Sequence, residues 1–215
     1  MIRLSSLLLL VCLASRAQAE EQTEISFHTG KMSLNMGKAS VGGGFAYGLR
    51  YLHSATPFVG VGLDVDFLKP ADTSTSNLVE DGLATTSIDS ASMMGVVRIG
   101  PTEGALRPNL LLGLGIHLTS FRLEAWPKPG FGWVDTGTTE KRTLIDSGGR
   151  GVAIKLQGGA DYAVTDNYLV GAFLAFNYMG SATYETTNQA KSVGVSSVSG
   201  SMTAITGGVC LSARF

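Results

Sequence analysis

From residue 110 to 118 every second residue is large and aliphatic: Leu110, Leu112, Leu114, Ile116 and Leu118. Gly113, Gly115, His117 and Thr119 fill the alternate places. A β-strand sends successive side chains to opposite faces, so this segment has one apolar face and one small or polar face. The same pattern recurs along the chain. Val59, Val61, Leu63, Val65 and Phe67 oppose Gly60, Gly62, Asp64 and Asp66. Tyr168, Val170, Ala172, Leu174, Phe176 and Tyr178 oppose Gly171, Phe173, Ala175 and Asn177. Similar segments start at Val41, Met93, Val152 and Ile205, and a blurred one covers Ile25–Leu34. Eight two-faced strands are therefore expected. The longest apolar run, Leu110–Ile116, contains two glycines, and no segment beyond the leader reaches the ~18–20 apolar residues of a spanning helix. Yet the chain is 44% hydrophobic, with 28 glycines and 15% charged residues. A chain of this kind has few ways into a membrane other than a closed barrel. The expectation is all-β: an eight-stranded, antiparallel, up-and-down transmembrane β-barrel.

A soluble barrel would turn the apolar face inward. Two features favour the reverse. Glycines share their face with the charges, as they must where an eight-stranded interior is only just wide enough for side chains. Tyr168 and Tyr178 are ten residues apart on the apolar face, a rise of about 25 Å at ordinary strand tilt, which matches the apolar band between aromatic girdles. Tyr51 and Tyr162, beside short turns, extend that girdle. The inward polar residues are then Arg50, Asp64, Asp66, Arg98, His117, Lys155, Gln157, Asp161, Asn177 and Arg214. Unpaired charges in a narrow dry lumen cost several kcal/mol each, so an ion-pair network that plugs the barrel is expected. The alternative is a gated proton or ion path.

Short links fall at Ser54–Pro57, Pro101–Pro108 and Thr165–Asn167, with a short loop near Asn35–Ser40. Long polar links fall at Lys69–Ser90, Ala125–Gly151 and Glu185–Gly200. At the N-terminus, Arg3, the apolar Leu7–Leu13 and Ala17-Gln18-Ala19 read as a cleavable secretory signal over residues 1–19. Residues 20–215 then form one barrel domain with Cys210 as its single cysteine, so neither an internal disulfide nor a cysteine zinc cluster is expected. The formal net charge is −1, and no basic block suggests nucleic acid.

Candidate chemistry is sparse. His117-Leu118-Thr119 places a base two residues from a hydroxyl, but strand phase turns both inward, away from any lipid substrate. Gly42-Gly43-Gly44 and Gly113-Leu114-Gly115 lack the lysine and the strand–loop–helix setting of a phosphate loop. No catalytic residue, cofactor or metal site is expected. The link at 125–151 holds both tryptophans, Trp126 and Trp133, with Phe131 between them among prolines and glycines. These aromatics suit contact with a partner or with the outer interface.

The last segment alternates up to Phe215, where the sequence stops. Signal peptide, eight strands, long loops and terminal Phe215 together resemble the OmpA/OmpX-type, opacity-protein-like outer-membrane β-barrel family. The resemblance spans residues 20–215 and is architectural. It implies short periplasmic turns, long extracellular loops and an integral bacterial outer-membrane location. It also implies contact with outer-membrane lipid and lipopolysaccharide, monomeric or weakly associated behaviour, and a Phe215 read by the barrel-assembly machinery. The peptidoglycan-binding domain of full-length OmpA-type proteins is not expected. The leading functional reading is a non-enzymatic envelope-structural and surface-interaction protein, with loops that meet a host or surface ligand. The alternatives are a narrow OmpW-like route for small or hydrophobic solutes and a lipid A-modifying enzyme.

Overall fold

The computed structural model describes residues 22–36, 39–70, 73–74, 84–125, 142–191 and 197–215. Residues 1–19 and the aromatics Trp126, Phe131 and Trp133 lie outside them. The strands are β1 (Thr23–Met36), β2 (Ala39–Ser54), β3 (Val59–Pro70, continued by Thr73–Ser74), β4 (Ala84–Ile99), β5 (Leu106–Ala125), β6 (Arg142–Ala163), β7 (Tyr168–Glu185) and β8 (Ser197–Arg214). A four-residue helix, α1 (Asn188–Lys191), follows β7. Every strand pairs antiparallel with its chain neighbours, and β1 pairs with β8, so the sheet has no open edge. At the turn end, Thr23 and Phe215 exchange backbone hydrogen bonds of 3.2 and 3.0 Å. The expected eight-stranded up-and-down barrel is the fold.

The ladder also yields the stagger. From Tyr178 the pairing runs through Ile154, Leu114, Gly95, Leu63, Tyr51, Ile25 and Ala213, and returns to its own strand at Tyr168. One circuit therefore descends ten residues. Eight strands with that stagger tilt by about 40° and enclose a radius of about 8 Å. Each residue climbs about 2.5 Å along the axis, and each step to a neighbouring strand shifts the level by about 3 Å.

Around the lower part of the barrel, nearest the turns, the apolar faces look outward. Leu114 is 65% exposed and Leu174 63%, as membrane-facing residues would be without their lipid. Asp64, Lys155 and Arg50 are buried inside. Higher up, the two faces exchange character. Met32, Leu34, Met36, Ile88, Phe121, Leu123, Met179, Tyr184 and Met202 form an apolar core within the wall, while Asp89, Ser120 and Arg122 face solvent. On β5 the backbone keeps its phase and the residues change, from outward Leu118 to inward Phe121. On β7 a register shift between Met179 and Ala182 changes the phase itself, so that Tyr178 points out and Tyr184 in.

This exchange corrects the expected loop boundaries. β4 starts at Ala84, inside the expected 69–90 link, β6 starts at Arg142, and β8 starts at Ser197. Hydrogen bonding continues above the membrane, where an apolar exterior is no longer required. The blur in Ile25–Leu34 has the same origin: Ile25 and Phe27 face lipid, whereas Met32 and Leu34 are core. The Pro101–Pro108 link is also shorter than expected, because β5 begins at Leu106. Its turn uses Gly104 at φ 93°, a conformation that favours glycine.

The upper core should behave like that of a soluble protein. Phe121 is 2% exposed and its ring lies 5.1 Å from that of Tyr184. Phe121→Ala is expected to destabilise the folded barrel by about 3–5 kcal/mol, read from reversible urea unfolding in detergent micelles. Lipid-facing Leu114→Ala should have a clearly smaller effect.

Candidate functional site

The two-residue period that sends leucines outward delivers the even-numbered polar residues of β1–β3 and the odd-numbered ones of β6 to the interior. They meet in layers. Nearest the turns, Glu24 accepts from Arg214 through Nε at 3.2 Å and Nη2 at 3.1 Å, with Arg98 Nη1 3.7 Å away. Arg98 also donates to Asp161 at 3.2 Å. Asn109 and the Cys210 thiol donate to the same carboxylate at 2.7 and 3.3 Å. Arg214 further donates to the Thr102 carbonyl at 2.6 Å, tying the last strand to a turn.

The middle layer is more compact. Lys155 Nζ lies 2.8 Å from Asp64 and 2.7 Å from Asp66. Arg50 Nη2 donates to Asp64 at 3.1 Å and to Gln157 at 2.8 Å. His28 Nε2 lies 2.6 Å from Asp66 Oδ1. Its ring meets the edge of Phe173 at 5.9 Å. Lys155 is 2% exposed and Asp64 is fully buried, so each carboxylate is neutralised by a cation at hydrogen-bond distance. Gly48 makes room for this layer, because a Cβ there would stand 2.5 Å from His28 Nε2 and 2.8 Å from Asp66.

His117 stands apart from the ion pairs. Its Nε2 lies 3.0 Å from the Gly180 carbonyl, which only accepts, so that nitrogen carries the proton. Nδ1 is 3.0 Å from Thr119 Oγ1, which lies 3.1 Å from Ser90 Oγ. The base–hydroxyl pair read from the sequence does meet, but His117 is fully buried and Thr119 is 3% exposed. Asn177, opposite Lys155 across the β6–β7 ladder, is buried but makes none of the hydrogen bonds of the cluster. Above these layers lies the apolar core, where burial pushes the Tyr184 phenol above its ordinary range.

Sequence reasoning missed Glu24, His28 and Arg107. Glu24 and His28 sit in the phase of Ser26, opposite Ile25 and Phe27, and that short alternation was their signal. Arg107 fell within the presumed link. It is buried, and its Nε donates to the Gly104 carbonyl at 2.8 Å. Of the tyrosines, Tyr51, Tyr162 and Tyr168 are well exposed on the outer wall and Tyr178 is 36% exposed. Tyr162 and Tyr168 flank one turn, and Tyr178 lies one circuit of the ladder above Tyr168. Tyr47 and Phe67, stacked at 5.4 Å, are a further outward pair.

Among the described residues, one group could ligate a metal: His28, Asp64 and Asp66, whose ligand atoms lie within 4.8 Å of one another. The donor set fits a divalent ion poorly. Lys155 Nζ already bridges the two carboxylates, and a dication beside it and Arg50 would leave the layer with excess positive charge. At the junction of the two charged layers, a void lined by Arg50, Arg98, Gln157 and Asp161 holds about 10 Å³, far less than a solute needs.

No protein-family model matches this sequence, and comparison with curated proteins found no match. Solved structures do match in fold. Neisserial surface protein A superposes with a TM-score of 0.53 at 13% identity, over 90% of this chain and 97% of that one. A major outer membrane protein from Thermus thermophilus gives 0.52 at 13% identity, over 90% and 99%. At such identity the likeness is one of fold. The chain has the fold of the small outer-membrane β-barrels, with short turns at one end. Its apolar belt and polar interior are those of a barrel that spans a membrane.

The middle layer supplies a direct test. Lys155→Met would leave Asp64 and Asp66 short of their shared cation, and is expected to destabilise the barrel by about 3–5 kcal/mol. Adding Asp66→Asn should recover much of that loss. A double-mutant cycle measured by urea unfolding in micelles checks the coupling, and additive effects would refute the pairing.

Proposed function

We propose that the protein is a non-enzymatic, monomeric outer-membrane barrel whose lumen is closed, and that it supports the envelope and meets surface ligands through its extracellular loops. One observation carries this reading: the interior is filled by two chemically different means in series. In the charged layers below, each carboxylate meets a cation at hydrogen-bond distance, and above them the described interior is an apolar core. A conducting route would have to break buried ion pairs and hydrate an apolar stretch, each at several kcal/mol. The buried His117–Thr119 pair supports the non-enzymatic reading, since no lipid substrate reaches it.

The loops are the remaining outward chemistry. Trp126, Phe131 and Trp133 belong to the link between β5 and β6, the two longest strands, and we assign surface contacts to them. Residues 1–19 are read as the export signal. Phe215, 74% exposed on the outer wall, is read as part of the signal for the barrel-assembly machinery.

Single-channel recording in planar bilayers tests closure. Wild-type protein is expected to be silent at neutral pH, and steady unitary currents would favour the narrow-channel alternative. Binding of nanodisc-embedded protein to cells and immobilised glycans tests the surface role, with Trp126→Ala/Trp133→Ala expected to reduce binding at least tenfold. Deletion of Phe215 should lower the amount of protein in the outer membrane, and an unchanged amount would overturn its assembly role.

A further inference from the structure

Among the described residues, the buried lysines and arginines outnumber the buried carboxylates by one. Arg50, Arg98, Arg107, Lys155 and Arg214 face Glu24, Asp64, Asp66 and Asp161. Four of the cations are matched: Arg50 and Lys155 to Asp64 and Asp66, Arg98 to Asp161, and Arg214 to Glu24. The fifth, Arg107, stands at the mouth. Counted along the ladder from Tyr168, Arg107 and Arg214 lie about 1 Å up, Glu24 and Asp161 about 4 Å, and Arg98 about 8 Å.

Strand phase holds Arg107 inward, since its neighbour Leu106 is 65% exposed on the outer wall and Arg107 only 7% exposed. Its Nε is engaged by the Gly104 carbonyl. Its Nη1 is buried and meets no acceptor among the described residues. Asp161 lies directly across the ladder from it, but both oxygens of that carboxylate already accept, from Arg98, Asn109 and the Cys210 thiol. Glu24 is likewise taken, by Arg214 at one oxygen and by Ser26 at the other. Of the charges that act on Arg107, Arg214 and Arg98 are the strongest, and both repel it. Glu103, in the same turn, is exposed and forms no ion pair with it.

We propose that the turn-end mouth of the barrel binds one carboxylate, held by Arg107. With Nε engaged, the free edge of the guanidinium carries Nη1 and Nη2 side by side, the fork that donates two parallel hydrogen bonds to a carboxylate. One uncompensated positive charge calls for a monoanion. A dianionic phosphate would bring excess negative charge beside Glu24 and Asp161, and chloride would match the charge without the two-point geometry. Membrane lipid is set apart from the site, because Leu106 meets the belt and Arg107 the lumen. A small free acid and the C-terminus of a peptide share this chemistry.

The test is solution NMR of the full-length protein in detergent micelles, reading the arginine Nε–Hε signals. Separate titrations use sodium acetate, N-acetyl-dialanine, its C-terminal amide and sodium chloride. A saturable shift of the Arg107 signal is expected with acetate and with the acidic peptide, at a Kd at least tenfold below that for chloride, and none with the amide. Tighter binding of the peptide than of acetate would assign the site to peptide termini, and the reverse order to small acids. Arg107→Gln should abolish saturable carboxylate binding, whereas Arg122→Gln, an exposed change far up β5, should leave it intact. Equal affinity for chloride, an equal response to the amide, or undiminished binding in Arg107→Gln would overturn the proposal. Should Arg107→Gln fail to fold, the acid and amide titrations of the wild-type protein decide it alone.

Discussion

Closure of eight strands with a stagger of ten residues is the constraint from which the rest of this molecule follows. It removes every sheet edge, which a lipid-exposed strand cannot leave open. It also leaves a radius of about 8 Å, enough for side chains but not for a water-filled pore beside them. Away from the turn-end mouth, whatever points inward must therefore be satisfied by another inward residue. That is why Lys155 touches two carboxylates that are also reached by Arg50 and His28, and why glycines such as Gly48 and Gly171 stand opposite bulky polar groups.

The two kinds of interior answer to two kinds of exterior. Within the membrane the outward face must be apolar, so the polar residues that make the strands two-faced have only the lumen to occupy. Above the membrane, water takes the outward face, and the interior can revert to the packing of a soluble barrel. The strands run through both regimes without a break in hydrogen bonding. β5 does so by changing residue type at constant phase, from Leu118 out to Phe121 in, and β7 by a register shift after Met179. Each device produces the same exchange.

Legibility in the sequence follows that exchange. Leu110 to Leu118 could be read as a strand because its alternation matches one regime throughout. Strand count, antiparallel order and the inward placement of Asp64, Asp66, Lys155 and Arg214 came with such segments. The upper halves of β4, β6 and β8 were read as loops because a soluble-type strand with serines and threonines outside has no continuous apolar stripe. Ile88 is a core residue flanked by polar Ser87 and Asp89, and one apolar residue in isolation carries no period. Partner choice inside the lumen was not legible at all. Arg50 pairs with Asp64 in the middle layer rather than with the lower layer, because the stagger shifts neighbouring strands along the axis by an amount visible only in the completed ladder.

A filled interior has a consequence for where function can reside. In a wider barrel, ligands meet the lumen wall, and specificity is written on inward residues. Here those residues, Arg107 at the mouth excepted, are committed to each other, so any other selective contact has to be made by the loops or by the outer wall. The outer wall is mostly a uniform apolar surface, suited to any lipid and selective for none. The belt's upper rim differs, because there the apolar regime ends at different levels on different strands. The stacked Tyr47 and Phe67 of β2 and β3 then stand below Lys69 of β3, and Leu118 of β5 stands beside Arg150 of β6. Tilt and stagger generate this offset, so the geometry that closes the lumen also creates the amphipathic step outside it.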